Sequence, residues 1–185
     1  MDKNALRKHY RKLRTALSEA QLESLSLRIA NRLIELPIWD KTYFHLFLPM
    51  VNKNEINTEY ILSIIQGKDK EVIVPKVEAT TLKHYLLLES TKLVVNHWGI
   101  PEPVDGIEIE PKKIEVVFVP LLAFDTTGHR IGYGKGMYDG FLANCSEDVI
   151  KIGLSFFEAA DQFKEVFPSD IPLDYCITPH KTYKF

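Results

Sequence analysis

The stretch IEVVFVP, residues 114–120, decides the fold class of this chain. It is a short, nearly continuous run of β-branched and aromatic residues that ends in Pro, a pattern typical of a buried strand. Further strands are predicted at EVIVP (71–75), VIKIGLSFF (149–157) and DYCITP (174–179). Strands that are apolar throughout belong to parallel sheets covered by helices. We therefore predict an α/β fold around a largely parallel sheet.

Helical patterns precede and separate these strands. Residues 3–17 carry leucines and a tyrosine at helical spacing, and the capping box Ser18–Gln21 opens a second helix that Pro37 ends. Further helices are predicted at 58–67 and 136–144, and further strands at 42–49 and 82–88. This alternation predicts a mostly parallel open sheet with helices on both faces. The length of the chain suits a single domain spanning residues 1–185.

Composition narrows the classes of function. The chain is 45% hydrophobic and 26% charged with a net charge of −2, which gives no whole-protein case for a nucleic-acid or membrane partner. Cys145 and Cys176 match no metal-binding spacing. The charged start MDKNALRKHYRK lacks the apolar stretch of a secretory signal. We expect a cytoplasmic protein.

A glycine-rich loop follows the central strand, in GHRIGYGKGMYDGFL at residues 128–142. It is not a phosphate loop of the Walker A type, because His129 stands where the first Gly belongs and Gly136 follows Lys135. It is not a dinucleotide fingerprint either, since Met137 occupies the third Gly position. A tight turn and an anion site therefore remain as alternatives.

Charge around the glycines favours the anion site. The glycines run into a predicted helix, and the first amides of a helix suit phosphate. Arg130 and Lys135 add positive charge, and Asp139 is a carboxylate that can bind Mg²⁺. Cations for phosphate beside a carboxylate for its metal are typical of phosphoryl transfer.

The position of this loop in the fold agrees with a ligand site. In open α/β sheets, ligands bind in the crevice beyond the carboxyl ends of the strands. We expect the loops after Pro49, Pro75 and Pro120 to meet at that edge.

The segment VFVPLLAFDTTGHRIGYGKGMYDGFL resembles the hallmark of the 5-formyltetrahydrofolate cyclo-ligase family. Further matches are KNALRKHYRKLRTALS, FLPMVNKNEINTEYI, VIVPKV, WGIPEP and SDIPLDYCITP. The resemblance implies the ATP- and Mg²⁺-dependent conversion of 5-formyltetrahydrofolate to 5,10-methenyltetrahydrofolate, with release of ADP and phosphate. It also implies a three-layer α/β/α fold and a cytoplasmic monomer.

The resemblance also implies roles for individual residues. Lys135 and Arg130 would act on the transferred phosphoryl group, and Asp139 and Asp170 would hold Mg²⁺. The implied ATP-binding residues are Lys3, Asn4, Ala5, Leu6, Arg7, Arg130, Ile131, Gly132, Tyr133, Gly134, Lys135, Gly136, Met137 and Tyr138. The implied folate-binding residues are Met50, Glu55, Trp98, Tyr133, Gly134, Lys135, Gly136 and Met137.

Several of these residues have a purely structural alternative. Asp170 could be a helix cap or turn acid, with Asp174 as an alternative metal ligand, and Glu55 could be a solvated loop acid. Trp98 could simply pack in its Pro-rich turn. Asp125 is expected to shape the turn FDTTG rather than to touch metal.

The first predicted helix has a basic side. At about 100° per residue, Lys3, Arg7 and Arg14 fall within roughly 40° of one another, beside the apolar stripe. Lys8 and Lys12 point to the opposite side. The three cations could extend their charged ends into water, or they could meet an anion, as the resemblance implies for Lys3 and Arg7 on ATP phosphates.

Two other classes of function compete with the cyclo-ligase. A sugar-phosphate isomerase or acyl-CoA transferase on a related sheet would keep the phosphate loop without needing ATP. A non-catalytic nucleotide-binding protein would bind ATP without turning it over.

Overall fold

The computed structural model describes residues 2–50 and 52–185. Four α-helices are described: α1 Lys3–Thr15, α2 Glu19–Leu33, α3 Glu59–Gly67 and α4 Met137–Ala143. The strands are β1 Tyr43–His45, β2 Glu71–Glu78, β3 Thr81–Leu86, β4 Leu93–Val95, β5 Pro101–Pro103, β6 Val116–Pro120, β7 Ala123–Phe124, β8 Arg130–Ile131, β9 Ile150–Leu154, β10 Tyr175–Ile177 and β11 Thr182–Lys184. Among the described residues, none of the helices combines the length and the apolar character that crossing a membrane requires.

A seven-stranded sheet forms the centre, in the order β11-β10-β9-β6-β1-β2-β3. The five inner strands pair in parallel, and β3 and β11 add antiparallel edges. The predicted mostly parallel α/β sheet is therefore confirmed. Strand β6 lies in the middle and pairs with β1 on one side and β9 on the other.

Burial of β6 on both faces explains its nearly continuous apolar sequence. Val116 and Phe118 point into a core shared with α2 and α3. Val117 and Val119 point into a second core shared with α4. Because side chains alternate between the faces of a strand, each face needs its own apolar set. Helices on both faces give the predicted three-layer arrangement.

The start of the second helix follows the predicted capping chemistry. Ser18 Oγ accepts a hydrogen bond from the Gln21 amide at 3.2 Å, and Gln21 Oε1 accepts one from the Ser18 amide at 2.9 Å. This capping box fixes the start of α2 at Glu19. Asp2 caps α1 in a similar way through the amide of Ala5.

The predicted loop after Pro75 is wrong. Pro75 lies inside β2, which continues to Glu78 and pairs with β3. Proline is tolerated there because the neighbouring β1 pairs with β2 only as far as Ile73, so no ladder hydrogen bond to β1 is lost. The strand predicted over 42–49 is likewise shorter, since β1 ends at His45.

Helix α1 is held against the segment that carries the glycine loop. Leu6 packs in a small cluster with Ala123 on β7, Ile131 on β8 and Phe163. Strands β7 and β8 form a short antiparallel hairpin directly after β6. This packing brings the basic side of α1 next to residues 132–136.

Candidate active site

A cavity of about 1240 Å³ lies beyond the carboxyl ends of β1 and β6. Single-ligand pockets are commonly about 300–1,000 Å³, so this cavity has room for two substrates side by side. Most of the predicted site residues line it: Lys3, Arg7, Met50, Glu55, Trp98, Arg130, Gly132, Tyr133, Gly134, Lys135, Gly136, Met137, Tyr138, Asp139 and Asp170. The fold thus brings together residues from both ends of the chain.

Four of the predicted ATP-binding residues do not line this cavity: Asn4, Ala5, Leu6 and Ile131. The side chains of Leu6 and Ile131 lie in the small apolar cluster beneath α1. Asn4 Oδ1 instead accepts a hydrogen bond from Arg7 Nη1 at 2.7 Å. Asn4 therefore helps to orient Arg7, and Leu6 and Ile131 help to hold α1 in place.

The glycine loop passes closely over Arg7. Arg7 Nε donates to the carbonyl oxygen of Gly132 at 3.1 Å. Gly134 has φ +93°, and a Cβ placed there would lie 3.2 Å from Arg7 Cζ. A side chain at this position would be strained and crowded, so glycine is needed for the loop to approach the arginine. The loop is therefore a tight turn that also holds the side chain of Arg7 in place.

The predicted metal ligands are each paired with a predicted phosphate-binding cation. Arg130 Nη2 donates to Asp139 Oδ1 at 2.7 Å, and Lys3 Nζ donates to Asp170 Oδ2 at 2.6 Å. The amide of Ile171 also donates to Asp139 Oδ1, at 3.0 Å, which places the two carboxylates at adjacent points of the cavity wall. Burial acts to raise the pKa of Asp170, but the hydrogen bonds from Lys3 and the Phe167 amide leave that pKa below its usual value.

The donor set fits Mg²⁺ that arrives with a nucleotide. Among residues 2–50 and 52–185, no group of three or more His, Cys, Asp or Glu side chains could hold a metal ion by itself. Mg²⁺ is usually bound by one or two carboxylates together with substrate phosphates. Asp139 and Asp170 supply two, whereas Asp174 lies off the cavity and pairs with Lys151 at 2.9 Å.

Glu55 is a buried acid, and the alternative of a solvated loop acid is wrong. Its side chain is 5% exposed, and Oε2 accepts a hydrogen bond from the Met50 amide at 2.7 Å. Oε1 accepts from the hydroxyl of Tyr133 and lies 3.9 Å from Arg14 Nη1. Burial raises the pKa of Glu55, and the hydrogen bonds from Tyr133 and Met50 and the charge of Arg14 oppose that rise.

Trp98 borders the cavity and contacts the predicted catalytic lysine. Lys135 Nζ lies 3.8 Å from the centroid of the Trp98 ring, within the range of a cation–π interaction. Trp98 therefore contacts a charged residue of the cavity wall and does not pack only within its own turn.

The predicted basic side of α1 faces the cavity. Lys3, Arg7 and Arg14 all line it, whereas Lys8 and Lys12 are exposed and lie outside it. Arg14 is 8% exposed and does not extend into water. Its position was predicted from helical periodicity, but its contact with Glu55 and Tyr133 was not.

Phe167 was also missed by the sequence reasoning. It lines the cavity, is 55% exposed, and lies with its ring centroid 4.0 Å from Lys3 Nζ. The sequence offered only its position three residues before Asp170.

Asp125 has the expected turn role, because Oδ1 accepts hydrogen bonds from the amides of Thr127 and His129.

Comparisons with known proteins identify the family. The model of the 5-formyltetrahydrofolate cyclo-ligase family matches residues 1–179. The 5-formyltetrahydrofolate cyclo-ligase of Haemophilus influenzae is 32% identical over 161 residues, covering 82% of this chain and 83% of the relative.

Two solved structures agree with the fold. The 5,10-methenyltetrahydrofolate synthetase of Aquifex aeolicus superimposes with a TM-score of 0.86 at 31% identity, covering 100% of this chain and 93% of the other. The corresponding synthetase of Mycoplasma pneumoniae gives a TM-score of 0.74 at 26% identity, covering 97% of this chain and 99% of the other. These matches do not support a sugar-phosphate isomerase, an acyl-CoA transferase or a non-catalytic nucleotide-binding protein. The chain belongs to the 5-formyltetrahydrofolate cyclo-ligase family.

Proposed function

We propose that this protein cyclises 5-formyltetrahydrofolate to 5,10-methenyltetrahydrofolate with ATP and Mg²⁺. The observation that carries the proposal is one cavity lined by cations, by two carboxylates and by the glycine loop that bears Lys135. Arg7, Arg130, Asp139 and Asp170 line this cavity, and Met50, Glu55 and Trp98 line it as well. A cavity of about 1240 Å³ has room for both substrates, and holding them together is what the transfer between them requires.

The reaction needs a phosphoryl group to pass from ATP to the formyl oxygen. That oxygen attacks the γ-phosphorus and ADP leaves. N10 then attacks the activated carbon and loses its proton to solvent, and phosphate leaves with the former formyl oxygen. Negative charge on the transferring group must be neutralised, and positioned cations do this most effectively in a site shielded from water. We assign this role to Lys135 and Arg130.

The remaining cations and carboxylates would bind the nucleotide. Lys3 and Arg7 on α1 would contact ATP phosphates together with the glycine loop, whose residues 132–136 line the same cavity. Asp139 and Asp170 would hold Mg²⁺, which when bound neutralises charge on the phosphate oxygens. Arg130 and Lys3, already bonded to these carboxylates, would keep them oriented.

On the folate side, Glu55 would accept hydrogen bonds from the amino-pyrimidine part of the pterin. Met50 would supply an apolar wall, and Trp98 would offer a ring face for stacking. The glycine-loop residues Tyr133 to Met137 would border both substrates at the point where the phosphoryl group is transferred.

A direct assay tests the proposed function. We expect protein incubated with ATP, Mg²⁺ and 5-formyltetrahydrofolate to form the methenyl product, which is followed by its near-ultraviolet absorbance. Omission of ATP should reduce the rate to background, because no phosphoryl donor remains. Excess chelator should do the same, because the carboxylates without Mg²⁺ cannot offset the charge of the phosphates. Product formation at full rate in excess chelator would contradict the metal requirement.

Glu55→Gln should raise the KM for 5-formyltetrahydrofolate by roughly tenfold to a hundredfold, since hydrogen bonds to a charged group are lost. The KM for ATP should stay close to that of the wild type. Glu59→Gln, an exposed change four residues away on α3, is the matched control and should alter neither constant. An effect of Glu55→Gln on the ATP constant alone would show that Glu55 faces the nucleotide.

We further expect the chain to act as a cytoplasmic monomer without a nucleic-acid partner. The net charge of −2 supports the absence of a nucleic-acid partner, because nucleic-acid-binding domains usually carry a basic excess.

A further inference from the structure

Arg14 carries a charge that the roles proposed above do not use. It lies in the last turn of α1 and is 8% exposed. Burying an arginine is costly unless its guanidinium is paired. Its partners are two residues of the proposed folate site: Nη2 donates to the Tyr133 hydroxyl at 2.6 Å, and Nη1 lies 3.9 Å from Glu55 Oε1.

We propose that Arg14 is a positioning residue for folate binding, which fixes the Glu55 carboxylate and the Tyr133 hydroxyl and keeps Glu55 ionised. The role of Glu55 toward the pterin rests on the proposed function. The contact between Arg14 and Glu55 rests on the structure alone.

Arg14 connects three separate parts of the chain. Glu55 lies in the segment after β1, Tyr133 lies in the glycine loop, and Arg14 lies on α1. The backbone adds a second link, because Asn54 Nδ2 donates to the carbonyl oxygens of Arg14 and Leu17, each at 3.2 Å. Asn54 adopts a left-handed conformation with φ 48°, which sets the direction in which the chain presents Glu55. The end of α1 therefore determines where the carboxylate lies.

The hydroxyl of Tyr133 bridges Arg14 and Glu55. Its hydroxyl accepts a hydrogen bond from Arg14 and donates one to Glu55, so its only proton points toward Glu55. Burial first, and then the neighbouring Glu55 charge, raise the pKa of Tyr133 far above its usual value. Tyr133 thus remains a neutral donor, and the charge that balances Glu55 comes from Arg14.

The ionisation of Glu55 depends on this balance. The groups that face it are Arg14 on α1, the hydroxyls of Tyr133 and Tyr138, and the Met50 amide. Of these, only Arg14 is positively charged. An opposite charge at such a distance typically lowers a carboxyl pKa by about one to three units. Without Arg14, the pKa of Glu55 should rise further, because burial already raises it.

Protonation would change what Glu55 can bind. An ionised carboxylate accepts two hydrogen bonds from neighbouring N–H groups, whereas a protonated one must donate one of its own. Folate affinity should therefore be present above the pKa of Glu55 and be lost as the pH falls through it. In Arg14→Met this loss should begin about one pH unit higher than in the wild type.

Two measurements on Arg14→Met test the proposal. The carboxyl carbon of Glu55 is followed by carbon-13 NMR against pH, with the resonance assigned by its absence in Glu55→Gln. The folate KM and kcat are measured over the same pH range. We expect the NMR midpoint to rise by about one unit, and the folate KM to increase about tenfold at the acid end of the range but much less at the alkaline end. Lys12→Met removes an equal charge from the exposed side of α1 and should change neither profile.

The outcomes separate this proposal from the proposed function. An unchanged NMR midpoint, or a loss of folate affinity equal at every pH, would overturn the role of Arg14. The absence of methenyl product from the wild type would overturn the cyclo-ligase assignment, while the NMR titration would still measure the dependence of the Glu55 pKa on Arg14.

If Arg14→Met fails to fold, as judged by circular dichroism, Arg14→Lys takes its place. It keeps the charge, so its midpoint should stay near that of the wild type, and a rise of one unit would refute the proposal.

Discussion

Replacing Lys135 with Met should lower kcat by about a thousandfold, the effect typical of removing one stabilising group from a transferring centre. The KM values for ATP and folate should change far less, because the charge acts mainly on the group in transit. Steady-state kinetics with the methenyl absorbance as readout will measure both.

The same substitution should leave the fold intact. Lys135 is exposed in the cavity, and its closest aromatic contact is the ring of Trp98 at 3.8 Å. An exposed cation–π contact contributes little to the free energy of unfolding. Lys8→Met, on the outer side of α1, is the matched control and should retain wild-type kcat. A well-folded Lys135→Met protein with wild-type kcat would refute the catalytic assignment.

The double variant Lys3→Ala/Arg7→Ala should weaken ATP binding by about a hundredfold, since two charge-assisted contacts to phosphate are lost. Isothermal titration calorimetry at one ionic strength gives the dissociation constants. Both residues line the cavity, and Arg7 also donates to the Gly132 carbonyl oxygen at 3.1 Å. Its removal should therefore also loosen the glycine loop.

Lys8→Ala/Lys12→Ala is the control for that experiment. It removes the same charge from the same helix, but on the exposed side outside the cavity. Long-range attraction between exposed charges is largely screened at physiological salt, so ATP affinity should stay within about twofold of the wild type. Equal affinities of the two double variants would show that the basic side of α1 does not bind the nucleotide.

Features that depend on residues close together in the chain were predictable. The apolar run 114–120 predicted the central strand, since both faces of a strand buried on two sides are filled mainly by apolar side chains. The capping box at Ser18 predicted the start of α2 because its hydrogen bonds join residues three apart. Helical periodicity likewise placed Lys3, Arg7 and Arg14 on one side of α1.

Strand length and loop position were less predictable. Pro75 was expected to end a strand, because proline cannot donate a ladder hydrogen bond. It lies within β2, since the neighbouring β1 has already ended its pairing at Ile73. Whether a proline interrupts a strand depends on the partner that happens to lie beside it.

Contacts between distant residues required the tertiary structure. Asp170 and Asp174 are the same residue type and are close in sequence, yet Asp170 lines the cavity beside Lys3 while Asp174 pairs with Lys151. The meeting of Arg14, Glu55 and Tyr133 joins residues up to 119 positions apart. Periodicity records which side of an element is buried or charged, but the partner on that side depends on how the sheet and helices pack, and no local pattern contains that information.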